Sequence, residues 1–167
     1  MLHDALSHPK ILHGRALLES LAELRQMGKR LVFANGCYDI LHPGHVDLLH
    51  RAKLLGDALL VALNDDASVR RLNKGPNRPI NSLEVRMYMA AHLGCVDLVT
   101  SFSEDTPLEC IQRTRPHVLV KGGDWLLESI VGREIVEADG GKIYSLPLLP
   151  GYSTTALIGR IRQGYPL

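Results

Sequence analysis

A doubly wound α/β sheet is the fold this sequence predicts: five parallel strands flanked by helices, in one domain of 167 residues. Three observations predict it. Short aliphatic runs alternate with stretches whose apolar residues recur at helical spacing. Hydrophobic residues make up 46% of the chain but aromatic ones only 5%, which suits aliphatic strands buried on both faces. The residues with chemical potential follow strand ends, where ligands of such sheets sit, near the topological switch point.

The elements follow in order. The opening MLHDALSHPKILHG reads as a loosely ordered lead-in whose His3, His8 and His13 have no metal-ligand spacing and are expected to be solvated. Residues 15–30 carry helical periodicity and end near Gly28, a C-cap signal. Residues 1–28 thus form a lead-in and helix, and 29–167 the sheet domain. Strands are predicted at 30–36, 57–64, 96–102, 117–123 and 142–148, each ending at or beside polar or turn residues. Helices are predicted at 44–56, 65–73, 82–94, 106–115, 131–141 and 153–163. Ser82 opens one of them. Thr106 is the expected N-cap of another, with Pro107 at its first position, and Ser153 or Thr154 caps the last. Crossovers are expected to be right-handed. No repeat, low-complexity tract or interdomain linker interrupts the pattern.

The stretch NGCYDILHPGH, residues 35–45, lies where the first strand hands over to a helix. Gly36 and Gly44 let a ligand approach the backbone, and the helix beginning near Gly44 aims amide N–H groups at that space, an anion site by geometry and dipole together. His42 and His45 can donate hydrogen bonds to phosphoryl oxygens. Lys53, two turns further on, reaches back only with its long stem. The chain has neither GxxxxGK[ST] nor GxGxxG. Cys37, Asp39, His42 and His45 are all metal-ligand types, but helical metal pairs favour i, i+4 spacing with a clear third ligand. Cys37 has no evident base and reads as a small space-filler rather than a nucleophile. His50, His92 and His117 read as structural.

GCYDILHPGH resembles the HxGH signature of the cytidylyltransferase-like nucleotidyltransferases, which share a Rossmann-like sheet. The similarity runs from about Lys29 to Arg162. Within that superfamily, NGCYDILHPGH, AKLLGDALLVALNDDASVRRL, NRPI, VKGGDW and GYSTTALIGRI together resemble the D-glycero-β-D-manno-heptose 1-phosphate adenylyltransferases of lipopolysaccharide precursor synthesis. That activity is often fused to a heptose 7-phosphate kinase, which 167 residues leave no room for, so the stand-alone form is the expectation. The resemblance implies that residues 29–167 are a nucleotidyltransferase domain. It also implies the reaction: a sugar-phosphate oxygen attacks the α-phosphorus of ATP and pyrophosphate leaves. The nucleophile is already anionic, so positioning and charge stabilisation suffice.

By the same resemblance, His42 and His45 hold α- and β-phosphoryl oxygens, Lys53 neutralises the triphosphate or the incoming phosphate, and Arg86 meets phosphate. Ser153 and Thr154 serve the β- and γ-phosphates. Asn35, Gly36, Cys37, Tyr38, Gly44, Lys121 and Gly122 join the nucleotide site, with Asp124 and Trp125 at the ribose or base edge, although Trp125 has packing as its plain alternative. Asp39 orders the turn or faces the sugar phosphate, and Asp66 is the other sugar-phosphate candidate. Mg²⁺ enters with ATP, held mainly by phosphates and water, with no protein metal site.

Other function classes stay open at this level. Glycerol-phosphate cytidylyltransferases carry an arginine and an acidic residue before their ISTT block, where this chain has LLPGYSTT; a cytidylyltransferase for glycerol 3-phosphate or another small alcohol phosphate is therefore the second reading. A nucleotide-binding module without turnover is the third. The net charge of +1 disfavours a nucleic-acid partner, and no apolar run approaches a membrane span. Three cysteines without CxxC pairing and no signal segment point to a cytoplasmic setting. Homo-oligomerisation, the chemistry by which adenine is selected and the motion of the loop at 73–81 are not fixed by sequence; VRRLNK is either a solvated helix face or part of a basic flap.

Overall fold

The computed structural model describes residues 6–72, 75 and 77–164. Its strands are β1 (Leu31–Gly36), β2 (Ala58–Asn64), β3 (Leu98–Phe102), β4 (Val118–Gly122) and β5 (Lys142–Leu146). Its helices are α1 (Gly14–Gln26), α2 (Pro43–Lys53), α3 (Asp66–Arg71), α4 (Leu83–Ala91), α5 (Leu108–Thr114), α6 (Arg133–Ala138) and α7 (Thr154–Arg162). The strands form one sheet in the order β3-β2-β1-β4-β5, and each neighbouring pair is parallel. The chain winds outward from β1 to β3 and then returns to build β4 and β5 on the other side, so the switch point lies between β1 and β4. The predicted five-stranded architecture is the one observed. No helix among the described residues is long and apolar enough to cross a membrane.

The core lies in two layers, as the alternating side-chain directions of a strand require. On one face Val32 and Ala34 meet Leu48, Leu49 and Ala52 of α2 and Met87, Ala90 and Ala91 of α4. On the other, Leu31 and Phe33 meet Leu17 and Leu21 of α1, Ile111 of α5 and Val136 of α6. β2 is buried along its whole length, which accounts for its unbroken run of apolar residues up to Asn64. Because α1 shares this core, the segment before residue 29 belongs to the covering layer of the sheet. It ends as expected: Gly28 takes φ +66°, its N–H reaches Arg25 O, and Lys29 N–H reaches Leu24 O, closing the helix with a left-handed glycine.

Several expectations are corrected. The described part of the lead-in is not loose. Leu12 N–H donates to Val99 O at 2.9 Å and Val99 N–H to Lys10 O at 2.8 Å, so this segment borders β3, and Ile11 and Leu12 pack against the two core layers. His8 is half-buried against the His92 ring, at 4.5 Å between centroids; His3 lies outside the described residues. Helix α5 starts at Leu108, with Pro107 rather than Thr106 in the cap position and no side-chain cap bond. Strand β5 stops at Leu146, before Pro147, which has no N–H to continue the ladder. The helix expected at 131–141 is shorter because glycines bound it. Gly132 has φ +86°, and a Cβ there would stand 2.6 Å from Ile111 Cδ1.

One detail of register shapes the carboxyl end of the sheet. β1 pairs with β4 only through Val32↔Val118, Phe33↔Leu119 and Ala34↔Val120. Beyond Ala34 the two central strands part, although each continues for two more residues. A gap opens between Asn35–Gly36 and Lys121–Gly122, at the carboxyl ends of the strands.

Candidate active site

The turn after β1 is built around tight contacts. Tyr38 is buried in a left-handed conformation, φ +47°, a backbone state that surrounding packing must hold. Burial pushes its phenol far above the ordinary tyrosine range. Its ring meets the edge of His45 at 5.3 Å and would lie 3.1 Å from a Cβ on Gly36. His42 is the N-cap residue of α2, with Pro43 at the first turn, where a missing N–H costs nothing. The imidazoles of His42 and His45 stack at 3.8 Å with 20° between planes. A Cβ on Gly44 would come within 3.1 Å of the His42 ring and 3.3 Å of Tyr152 Cβ. A side chain at Gly44 would push the stacked rings and the segment before α7 apart by a few tenths of an ångström, so glycine favours this close approach.

Partial burial lowers the pKa of His42 below the usual histidine value. Its imidazole is therefore neutral near pH 7, a ring with one N–H to donate. Its Nδ1 has no hydrogen-bond partner among the described residues. Across the gap, Ser153 caps α7 by accepting from Ala156 N–H at 3.0 Å, and Thr154 faces the same space as His45. Two helix N-termini thus converge where β1 and β4 part.

The gap is a cleft with two lobes. The first, about 270 Å³, is bounded by His45, Arg78, Gly122, Leu148 and Thr154. The second, about 290 Å³, is bounded by Asn64, Leu72, Thr106, Ser129 and Val131 among others. Asn35, Gly36, Cys37, Lys121 and Trp125 line both. Trp125 is folded back on the strand end, its Nε1–H donating to Gly122 O at 3.0 Å, with Lys121 Nζ 5.4 Å from the ring centroid. Another cavity, about 350 Å³, lies beside β3 and α1 and is lined by none of residues 35–45.

Some expected site residues are not brought to the cleft. Lys53 is at the opposite pole of the sheet, its Nζ 2.6 Å from Asp97 Oδ2 and 2.5 Å from Asp57 O. Eight residues of helix separate it from His45, a rise of about 12 Å, and α2 runs back toward the strand starts. Arg86 reaches the strand ends but is fully buried. Its guanidinium donates to Cys37 O at 2.7 Å, Asn64 O at 2.8 Å, Asn81 O at 3.1 Å and Asp66 Oδ1 at 2.7 Å. That geometry makes it a clamp on three segments rather than a group facing the cleft. Asp66 is thereby committed to Arg86. Asp39 does border the first lobe, but it is buried and committed, accepting from Arg78 Nε at 2.5 Å, Ile80 N–H at 2.9 Å and Asn81 N–H at 2.8 Å. Asp124 is exposed and borders neither lobe.

Other residues enter in roles that no local signal announces. Arg78 sits in NRPI, a block that carries the resemblance, yet its tie to Asp39 spans 39 residues and no local signal announces it. Lys74 and Pro76 of the same loop lie outside the described residues, as does Asn73. Asn64 closes β2, its amide donating to Ser68 Oγ at 3.0 Å. Thr106 is lobe lining rather than helix cap. A metal held by the HPGH turn is at odds with this geometry: the histidine rings lie face to face, and Asp39 is turned to Arg78.

Comparison with known proteins adds the rest. The cytidylyltransferase-like family profile matches residues 33–159. The bifunctional protein HldE of Syntrophotalea carbinolica is 48% identical over 166 residues, 99% of this chain and 34% of that protein. HldE of Pseudomonas aeruginosa PAO1 is 52% identical over 147 residues, 88% and 31% of the two chains. The chain therefore spans about a third of the length of the curated relatives it matches. Among solved structures, the lipopolysaccharide core biosynthesis protein from Thermoplasma volcanium superposes with a TM-score of 0.59 at 26% identity, over 73% of this chain and 98% of that one. The pantoate-beta-alanine ligase of Francisella tularensis, at 17% identity and a TM-score of 0.55 over 92% and 79% of the chains, shares the fold.

Proposed function

The chain belongs to the cytidylyltransferase-like family, and from that premise we propose that it joins ATP to D-glycero-β-D-manno-heptose 1-phosphate, giving ADP-heptose, a lipopolysaccharide core precursor, and pyrophosphate. One observation carries this reading. His45, stacked on His42 at the start of α2, and Thr154 at the Ser153-capped start of α7 border one cleft, where the central strands separate. Donors preorganised in this way suit a substrate whose negative charge redistributes in the transition state.

In this mechanism the phosphate oxygen of the sugar attacks the α-phosphorus, and the bond from that phosphorus to the bridging oxygen of pyrophosphate breaks. His42 and His45 each donate an N–H to phosphoryl oxygens as charge builds. The amides at the start of α2 add donors aligned with the helix dipole. The hydroxyl of Thr154 and the start of α7 hold the departing phosphates. Lys121, which lines both lobes, stands where two anionic reactants meet and lessens their repulsion. Mg²⁺, when bound, supplies further neutralisation and is held mainly by phosphate oxygens and water. The nearest motif carboxylate, Asp39, is already committed to Arg78, Ile80 and Asn81. The reaction is assigned to the cytoplasm, where ATP is supplied and thiols such as Cys37, Cys95 and Cys110 stay reduced.

The test is pyrophosphate release with ATP and the heptose 1-phosphate, set against CTP with glycerol 3-phosphate. The first pair is expected to have the higher kcat/KM. If the second pair won, the phosphate chemistry would stand and the substrates would be wrong.

A further inference from the structure

The two carboxylates expected to meet the acceptor are both occupied: Asp39 by Arg78 and two backbone amides, Asp66 by Arg86. The acceptor therefore needs other partners. We propose that the second lobe of the cleft is the sugar pocket, with Thr106, Ser129 and Asp105 as the side chains that select a polyhydroxylated acceptor. The proposal rests on the reading above and assigns the substrate half that reading leaves without residues.

The two lobes differ in chemistry. The first has His45, Thr154 and two helix starts besides the shared Lys121, its Arg78 being paired with Asp39, and suits a triphosphate. The second has no cation of its own among its described lining residues, and its one carboxylate, Asp105, gives only Oδ1 to Arg71 and stays largely exposed. Its hydroxyls and carboxylate sit over an apolar floor of Leu72, Pro107, Ile130 and Val131. A sugar has the matching surface, with C–H faces to lie on the floor and hydroxyls to meet the rim. Ser129 Oγ donates to Leu126 O at 2.7 Å, so toward a ligand it offers lone pairs. Asp105 is steadied by Arg71, whose Nε lies 2.5 Å from Oδ1 and whose other arm reaches Ser103 O. The α3 end and the β3–α5 loop are thereby tied across the rim. Lys121 stands at the junction of the lobes, where the phosphate of a sugar lying in the second would meet the α-phosphate of a nucleotide lying in the first.

The experiment is steady-state kinetics of Thr106→Val, Ser129→Ala and Asp105→Asn. These side chains are exposed, so the fold is expected to survive, and a thermal melt checks that it does. Removing a hydroxyl or charge that pairs with a buried substrate hydroxyl is expected to raise the KM for heptose 1-phosphate about tenfold. The KM for ATP is expected to stay within about twofold of wild type. The combination Thr106→Val with Ser129→Ala is expected to narrow the preference for heptose 1-phosphate over glycerol 3-phosphate. If the variants raise the KM for ATP instead, the lobe holds the nucleotide and the assignment is overturned. If an active wild type and all three variants share one acceptor KM, it is overturned as well. A wild type inert toward every sugar phosphate would remove the proposed function and this pocket with it.

Discussion

Helix α2 touches both poles of the sheet, and its two ends do opposite work. At its start, His45, with His42 stacked on it, stands beside a gap where β1 and β4 no longer pair. At its end, Lys53 is locked to Asp97 and the carbonyl of Asp57. The strand beginnings around that end are closed by side chains: Asp97 accepts from Leu59 N–H at 2.7 Å, His117 Nδ1 from Leu31 N–H at 3.0 Å and Asp57 from Arg30 N–H at 2.7 Å. Buried backbone donors left unpaired would be destabilising, so this pole serves stability. The strand ends are tied on both flanks of the gap, where Arg86 takes the carbonyls of Cys37 and Asn64 and Trp125 Nε1–H that of Gly122. Between these ties the β1–β4 ladder stops at Ala34 and Val120, which leaves the cleft. The same fold closes one edge of its sheet and keeps the other available for chemistry.

The largest effect expected from breaking this contrast is at the open pole. His45→Ala should lower kcat by roughly 10²–10³ with little change in the melting temperature, the loss of one preorganised donor to developing charge. His42→Ala should behave alike. If either kept more than half its activity, the histidines would be ordinary turn residues. Arg86→Ala should do the reverse. It leaves the Cys37 and Asn64 carbonyls and the half-buried Asp66 without their partner, and about 3 kcal/mol or more of stability should vanish in a urea titration. A variant as stable as wild type yet inactive would make Arg86 a phosphate ligand, as the family resemblance implies.

The strands were legible because burial on both faces forces unbroken aliphatic runs, and β2 shows this along its full length. The His42–Gly44–His45 turn was legible for a related reason, since a glycine and two donors at a strand-to-helix handover have few structural uses. Ser153 was legible from capping chemistry alone. What sequence did not reveal depends on distance in the chain. Arg86 draws together acceptors from residues 37, 64, 66 and 81, and Asp39 pairs with a residue 39 positions away; neither has a local periodicity. Lys53 stands far from His45 because helix rise alone sets it there. Ile11 and Leu12 form too short an apolar pair to signal that the lead-in borders β3.

A smaller effect is expected at the closed pole. Lys53→Met should leave kcat within about twofold and remove at most about 1 kcal/mol, because the pair with Asp97 is partly exposed and solvent weakens it. A 100-fold fall in kcat at unchanged stability would mean that Lys53 swings into the cleft during turnover, and the division between the poles would fail.

The smallest expected effect is a pH dependence confined to the open pole. Burial depresses the pKa of His42 in the folded protein below its ordinary value of about 6.5. Between the folded pKa and about 6.5 the unfolded chain binds more protons, so folding stability rises with pH in that window and is lost as pH falls through it. Above the window both states are neutral and His42 contributes no slope. In His42→Gln the corresponding part of the slope should be absent, read from urea titrations at a series of pH values. The ring proton resonance of His42 should titrate with a midpoint below about 6.5 in the unliganded protein. Adding ATP should move that midpoint upward, because an adjacent anion favours the imidazolium form. By linkage, nucleotide should bind more tightly as pH is lowered toward the shifted midpoint. A midpoint that starts above 6.5, or one that ATP leaves in place while saturating the protein, would separate His42 from the phosphates and leave His45 as the only histidine donor in the cleft.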